Sequence, residues 1–192
     1  RPVCFVTENV KIAFLSATQI ERMDNPDTKG ATETSPGVFR CRNVELLLSE
    51  VEKAKAVSDF VVVYVHWGTE STTELDWAQK EQAPLIAQAG ADLIIGDHPH
   101  VLQGIEWIGD TPVIYSVGNF LFNYKTQDTC LVEVTLDAQT GALKSFRFIP
   151  ALQKDCRTTL LDGAEMARVI SHMQSLSPGV TIDAEGYVTK TS

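Results

Sequence analysis

The segment Asp59–Gly68, "DFVVVYVHWG", is a continuous apolar run that is rich in β-branched residues. Such a run is typical of a strand buried on both faces, as in a parallel sheet. We therefore predict a strand over residues 59–66. A second apolar run, "DLIIG", predicts another strand over residues 92–96, and we expect the two strands to be neighbours in one sheet.

A helical pattern precedes each of these strands. The stretch "VELLLSEVEKAKAV" follows Asn43, a favourable capping residue, and carries an apolar stripe, which predicts a helix over residues 43–57. The stretch "ELDWAQKEQAPLIAQAG" predicts a helix over residues 76–89 that ends at Gly90, although Pro84 disturbs its hydrogen-bond ladder. The alternation of helix and strand predicts βαβ crossovers and a parallel core sheet.

The pattern changes in the second half of the chain. Short strands separated by turns between residues 101 and 149 predict a second, mainly antiparallel sheet. A last helix is expected after Asp162, followed by a closing strand in "GYVTK". Near the N-terminus, two strands are expected around a turn at Glu8–Asn9, and the polar residues 18–38 predict a long loop.

Composition limits the function classes. The 192 residues include 16 basic and 25 acidic ones, a formal net charge of −9, and no Lys/Arg cluster, so we expect no nucleic-acid partner. A negative field also repels a polyanionic substrate unless a metal ion reverses it locally. No apolar run is long enough to span a bilayer, and the first residues lack a signal-peptide core, so any anchor is expected outside this chain.

The four cysteines are widely spaced and form no CxxC pair, which argues against a structural zinc site. Four cysteines allow three complete pairings, and buried free thiols are an equal alternative. Among the disulfides we favour Cys130–Cys156, because Cys130 opens a hairpin and Cys156 follows its return strand. Cys4 and Cys41 are then either paired or free.

Three of the four histidines follow the two predicted core strands. His66 ends the first strand, whereas His98 and His100 follow the second in "GDHPHVLQ", residues 96–103. The carboxyl ends of parallel strands meet at one edge of a sheet, so the three imidazoles are expected to converge. Neutral imidazole commonly binds divalent metals, and Pro99 stiffens the loop. The alternative is a polar loop with ordinary hydrogen-bonded histidines.

Carboxylates are needed for a two-metal site, whereas three histidines and a water can hold a single zinc ion. The candidates are Asp97, Glu70 and Glu106. Asp97 adjoins His98 and is either a ligand or, preferably, a residue that orients an imidazole. Glu106 has the alternative interpretation of a solvent-facing side chain. The fourth histidine, His172, is expected to be structural or exposed.

The motifs "VHWGTE", "GADLIIGDHPHVLQGIE" and "VIYSVGNFLF", spread over about Val61–Phe122, resemble those of the CapA proteins of bacterial capsule synthesis. These proteins are associated with poly-γ-glutamate capsules and resemble calcineurin-like metallophosphoesterases. The resemblance implies an α/β fold, half of an αββα sandwich with mixed parallel and antiparallel sheets. It also implies a site for divalent metal ions, namely Mn, Zn or Fe.

The resemblance assigns roles residue by residue. His66 matches the family's His-Trp-Gly motif, and His98 and His100 match its His-Pro-His motif, which implies that all three are metal ligands. Glu70 and Asn119 also match family positions and are expected at the rim of the site, and Asp97, next to His98, is expected there or behind the ligands.

The departures from the family pattern are informative. Ser71 stands where tyrosine is frequent, and Asp97 where histidine is frequent. The family's N-terminal Gly-Asp, Asn-Leu-Glu and Asn-Asn-His motifs do not occur. We therefore interpret residues 1–192 as the C-terminal portion of a CapA-like domain, with the other ligands in an N-terminal half outside this chain.

Two functions are expected from the resemblance. The first is a metal-dependent, phosphoesterase-like hydrolase in poly-γ-glutamate capsule biosynthesis, with a two-metal site that is incomplete in this chain. The second is a non-catalytic scaffold at the cell surface that binds the capsule polymer or a synthase partner. Expected partners are the polymer or a phosphorylated small molecule, synthase components and the N-terminal half of the domain. The expected location is the extracellular face of the cell envelope.

Overall fold

A computed structural model describes residues 2–20 and 30–191. Within these ranges none of the helices is long and apolar enough to cross a bilayer. The helices are α1 (Val44–Lys55), α2 (Trp77–Gln88) and α3 (Gly163–Ser175). The strands are β1 (Val3–Val6), β2 (Lys11–Thr18), β3 (Phe60–His66), β4 (Leu93–Gly96), β5 (Leu102–Ile108), β6 (Thr111–Val117), β7 (Gln127–Leu136), β8 (Leu143–Lys154), β9 (Arg157–Leu160), β10 (Val180–Ile182) and β11 (Val188–Lys190).

The largest sheet has six strands in the order β1-β2-β3-β4-β6-β5. Strands β2, β3, β4 and β6 run parallel to one another, whereas β1 and β5 are antiparallel edge strands. The strands predicted over residues 59–66 and 92–96 correspond to β3 and β4, and they are parallel neighbours as predicted. The predicted α/β class with mixed parallel and antiparallel pairing is confirmed.

Strand β3 is apolar throughout because both of its faces are buried. Val61, Val63 and Val65 pack against α1 and α2 on one face of the sheet. Phe60 and Val62 pack on the opposite face, in a second core that includes β7, β8 and α3. Since successive side chains of a strand point to opposite faces, a strand between two cores needs an uninterrupted apolar run.

The helices that pack on this sheet begin where the sequence predicts them. Asn43 caps α1 by accepting a hydrogen bond from the Glu45 amide at 3.1 Å. Asp76 caps α2 through a reciprocal capping box with Gln79, in which each side chain accepts from the other residue's backbone amide. Pro84 lies inside α2 without ending it.

The prediction that the strands between residues 101 and 149 form a second sheet is wrong for two of them. Strands β5 and β6 form a hairpin across Gly109–Asp110 and extend the first sheet, where β6 pairs in parallel with β4. Residues 111–116 of β6 are all buried, which suits a strand inside a sheet rather than an exposed hairpin. The second sheet is antiparallel and consists of β7, β8 and β9.

The prediction of a Cys130–Cys156 disulfide is also wrong, since all four cysteines are free thiols. Cys130 is buried in β7 opposite Pro150 of β8. Cys156 lies beyond the end of β8, in the exposed turn that leads to β9, so the register of the hairpin keeps the two apart. Burial raises the pKa of the Cys130 thiol, which therefore acts as a neutral core group.

Other local predictions have mixed outcomes. The turn at Glu8–Asn9 joins β1 and β2 as predicted. Helix α3 begins after Asp162, whose side chain makes no capping hydrogen bond, and the closing strand is β11. In the predicted loop 18–38, residues 21–29 lie outside the described ranges, so its extent stays a prediction.

We expect Gly96→Ala to destabilise the chain by about 1–3 kcal/mol, the usual cost of overpacking a filled site. An added methyl at Gly96 would collide with the backbone oxygen of Tyr115 and the indole nitrogen of Trp67. The free energy of unfolding in urea measures the effect. The matched control is Gly179→Ala, where an added methyl has no neighbour within 4 Å. Equal stabilities of the two variants would contradict the expectation.

Candidate functional site

The connection from β4 to β5 carries two histidines across the carboxyl edge of the first sheet. Strand β4 ends at Gly96, and β5 begins at Leu102, which pairs with Val117 at the end of β6. The residues between them therefore cross the end of β6. His98 and His100 lie on this crossing, at the edge where the parallel strands end.

His66 ends β3 at the same edge, and Asp97 holds its ring. The Nδ1 atom of His66 lies 2.7 Å from one carboxylate oxygen of Asp97, whose other oxygen accepts a 3.1 Å hydrogen bond from the Tyr64 hydroxyl. Because an ionised carboxylate only accepts, this contact places a proton on Nδ1 of His66 and a lone pair on Nε2. Asp97 therefore orients an imidazole, and the ring it holds is that of His66.

His98 lies between His66 and Glu70 and is buried. Its Nδ1 is 2.9 Å from Nε2 of His66, and its Nε2 is 3.9 Å from a carboxylate oxygen of Glu70. Because Nε2 of His66 carries a lone pair, Nδ1 of His98 holds a proton and donates it to that nitrogen. Nε2 of His98 then keeps its own lone pair. Burial, and then the neighbouring His66, lower the pKa of His98 below the ordinary value of 6.5. The ring is thus held neutral, which is the form that binds metals.

His100 is fixed from the other side of the site. Its Nδ1 lies 2.8 Å from the amide oxygen of Asn119, whose amide nitrogen donates to Gln127 at 2.8 Å. This network places the proton of His100 on Nδ1 and leaves Nε2 free to bind a ligand. The backbone of His100 has φ of 60°, a left-handed conformation that costs about 1–3 kcal/mol for a residue with a side chain.

The structure groups two of the three predicted metal ligands, His98 and His100, with Glu70, while His66 lies beside them. One possible ligand atom from each of Glu70, His98 and His100 lies within 4.8 Å of the others. The ring centroid of His66 is 4.6 Å from that of His98 and 6.4 Å from that of His100. Glu70, which the resemblance implies only as a rim residue, is therefore placed among the possible ligands. Imidazole and carboxylate groups together fit Zn²⁺, Mn²⁺ or Fe²⁺.

A buried pair of glutamines holds the loop that carries Glu70. Gln79 donates to the side-chain oxygen of Gln103 at 2.7 Å, and Gln103 donates to the backbone oxygens of Thr72 and Glu74 at 3.0 and 3.2 Å. Both glutamine side chains are fully buried. The sequence did not identify Gln103 as a positioning residue. The feature that could have indicated this role is an amide side chain at the start of an otherwise apolar strand.

Two further candidates lie away from this cluster. Glu106 accepts a 2.7 Å hydrogen bond from the Tyr115 hydroxyl and is not one of the clustered ligands. His172 is exposed on α3. The candidate site therefore consists of the three predicted histidines and Glu70, with Asp97 and Asn119 behind them.

Comparison with known proteins gives matches to capsule synthesis proteins. The family model described as "Bacterial capsule synthesis protein PGA_cap" matches residues 1–124. The PGA biosynthesis protein CapA of Bacillus subtilis and the capsule biosynthesis protein CapA of Bacillus anthracis are each 38% identical, over 109 and 113 residues. Each match covers 55% of this chain and only 28% or 27% of the relative, so the chain spans less than a third of either protein.

A solved structure was also found to be similar, at a low level. It is the sulfate thiohydrolase SoxB of Thermus thermophilus in complex with glycerol, with a TM-score of 0.43 and 17% identity. The alignment covers 91% of this chain and 28% of that chain. Similarity at this level identifies no substrate and no reaction.

We expect the metal-free chain to lose stability as the pH falls below about 6.5, in part through His98. Because the pKa of His98 is lower in the folded chain than in the unfolded one, the unfolded chain binds more protons at mildly acidic pH. The stabilisation that neutral His98 contributes is complete above the pKa that His98 has in the unfolded chain. It is lost as the pH falls through the lower pKa of His98 in the folded chain. Urea unfolding in chelator, from about pH 8 to pH 5, measures the slope.

The substitution His98→Gln should flatten this pH dependence, whereas His172→Gln, at an exposed position, should leave it unchanged. An NMR titration of the His98 ring checks the direction of the shift directly. A His98 pKa at or above 6.5 would show that the ring is not held neutral by burial.

Proposed function

We propose a function from one established fact: this chain belongs to the bacterial capsule synthesis protein family PGA_cap. The family match covers residues 1–124 of 192, and the CapA relatives confirm the resemblance seen in the sequence motifs. The site residues from His66 to Asn119 all lie inside that match. We therefore assign the chain to capsule biosynthesis.

We infer that the histidine cluster binds divalent metal ions. The observation that carries this inference is the pair of contacts behind the rings, Asp97 on His66 and Asn119 on His100, at 2.7 and 2.8 Å. Metal-binding histidines almost always donate their second ring N–H to a carboxylate or another oxygen acceptor, which fixes the ring and the tautomer. The Nε2 lone pair of His100 is then available to an ion, whereas that of His66 accepts from Nδ1 of His98 at 2.9 Å.

The ions would be held by Glu70, His98 and His100, and by His66 once Nδ1 of His98 no longer donates to its Nε2. A bound divalent ion supplies Lewis-acid polarisation of an ester or amide oxygen. The chain's own residues keep the ligands ready: Asp97 and Asn119 hold protons on Nδ1 of two rings, and burial keeps His98 neutral. We propose that further ligands come from the N-terminal half of the domain, which would complete a two-metal site.

The proposed reaction is hydrolysis during poly-γ-glutamate capsule synthesis. That polymer is linked by amide bonds, so an amide bond of the polymer is the first substrate to test and a phosphorylated small molecule the second. We place the protein on the extracellular face of the cell envelope. Hydrolysis by the intact protein with Mn²⁺ or Zn²⁺, abolished by chelator, is the result that supports this function.

The alternative is a non-catalytic scaffold that binds the capsule polymer or a synthase component. One observation favours it: the edge strand β1 exposes Val3, Phe5 and Val6, and Phe5 packs against the exposed ring of Phe14. Grouped apolar side chains on a surface mark interaction sites. Specific binding by an intact protein that shows no metal-dependent turnover would select the scaffold.

We expect the double substitution His98→Ala, His100→Ala to abolish the binding of Zn²⁺ and Mn²⁺ while the fold is kept. Equilibrium dialysis with elemental analysis measures the metal content, and circular dichroism checks the fold. His172→Ala, an exposed histidine on α3, is the matched control. If the double variant retains its metal, the histidine loop is only a polar loop.

We expect Asp97→Asn to weaken metal affinity by about tenfold to a hundredfold, the usual effect of removing the group behind a ligand. The amide no longer stabilises the proton on Nδ1 of His66. Tyr64→Phe, which removes the hydroxyl hydrogen-bonded to Asp97, should have a smaller effect in the same direction. Isothermal titration calorimetry with Zn²⁺ measures both, with the exposed Asp110→Asn as control. Wild-type affinity in Asp97→Asn would disprove the role of this carboxylate.

A further inference from the structure

The segment Phe120–Lys125, "FLFNYK", follows Asn119 directly and is called the rim loop here. It exposes an unusual amount of apolar surface: Phe120, Leu121 and Tyr124 are 51%, 63% and 75% exposed. Neighbouring exposed apolar side chains mark binding surfaces in water-soluble regions of proteins. The rim loop lies beside the candidate metal site, so a ligand of that site would meet it.

The backbone of the rim loop is anchored, so its side chains are held outward. The backbone oxygen of Phe122 accepts a 2.8 Å hydrogen bond from Gln153, which is fully buried in β8. The backbone oxygen of Phe120 accepts from the hydroxyl of Thr158 in β9. Two carbonyl groups of the loop are thus bound by the second sheet, while the rings of Phe120 and Tyr124 remain exposed.

The rings form a row that leads away from the histidine cluster. The ring of Phe122 lies 6.4 Å from the ring of His100, and the ring of Tyr124 lies edge-on to Phe122 at 4.9 Å. The ammonium group of Lys125 is 5.8 Å from the centre of the Phe122 ring. No carboxylate among the described residues pairs with Lys125, so its charge is available to a ligand.

We propose that the rim loop is the recognition surface for the substrate of this site. It would bind an acidic polymer whose units combine methylene groups with a free carboxylate, of which γ-linked glutamate is the example. The aromatic rings would pack against the methylene groups, and Lys125 would pair with a carboxylate. A local cation is needed because the chain as a whole carries a net charge of −9. This inference rests on the proposed function and names the surface that selects its substrate.

Binding of a short γ-linked glutamate oligomer to the Zn²⁺-loaded chain tests the proposal by titration calorimetry. Two probes separate the contributions: an oligomer with amidated carboxylates lacks the charge, and a polyphosphate of equal charge lacks the methylene groups. The glutamate oligomer should bind more tightly than either. We expect Lys125→Gln to weaken its binding by about 1.5-fold to fivefold, the range for an exposed ion pair. Tyr124→Ala should weaken it by about twofold to tenfold, the range for an aromatic contact.

Two variants on α1 serve as controls. Lys53→Gln removes an exposed cation that pairs with Glu50, and Leu46→Ala removes an exposed apolar side chain. Both should bind the oligomer as the wild type does. Lys125→Gln should also reduce the salt dependence of binding, while both rim variants should keep the wild-type affinity for Zn²⁺.

The outcomes for the rim loop and for the metal site can be told apart. Wild-type oligomer binding in both rim variants, or equal binding of polyphosphate, overturns the recognition surface and leaves the metal site standing. Oligomer binding that is weakened by the rim substitutions, in a chain that takes up no metal, keeps the surface and rejects the hydrolase. A loss of binding in the α1 controls as well would show a non-specific effect and overturn the proposal.

Discussion

The indole N–H of Trp67 donates a 3.2 Å hydrogen bond to the backbone oxygen of Tyr115, and this bond passes directly over Gly96. It connects the chain that leaves β3 with β6 across the end of β4. Any side chain at position 96 would separate the three. Because His66 precedes Trp67 and the loop with His98 begins after Gly96, the bond sets the distance between the two histidine-bearing segments. The geometry of the site therefore follows from backbone packing at one glycine.

A chain of hydrogen bonds extends from this packing into the site. The Tyr64 hydroxyl donates to Asp97, Nδ1 of His66 donates to the same carboxylate, and Nδ1 of His98 donates to Nε2 of His66. Burial, followed by the charge of Asp97, raises the pKa of Tyr64, so the hydroxyl keeps its proton and remains a donor. Every proton in the chain then has one position, and the last lone pair is on Nε2 of His98. Such order reduces the reorganisation needed to bind a cation.

The sequence predicted the features that have a local cause. A run buried on both faces identified β3, and the rule that parallel strands end at one edge brought three histidines together. No local feature of the sequence predicts which sheet β6 joins. A buried apolar hairpin fits either sheet, and only long-range strand pairing decides between them. The position of Glu70 is equally non-local, since it depends on amide contacts from Gln79 and Gln103. The predicted Cys130–Cys156 disulfide is wrong for the same reason. The register of the hairpin, which the order of the strands does not reveal, separates the two thiols.

Charge connects the two proposed properties of the site, metal binding and polymer recognition. The site presents the carboxyl groups of Glu70 and Asp97, and an acidic polymer brings more carboxylates to the same place. A divalent ion would add two positive charges beside these groups, on a chain whose total charge is −9, and would therefore favour an acidic polymer at the rim. Linkage requires that each ligand then raises the affinity for the other. In this arrangement the ion would strengthen binding of the polymer at the rim, so recognition and readiness for reaction would increase together.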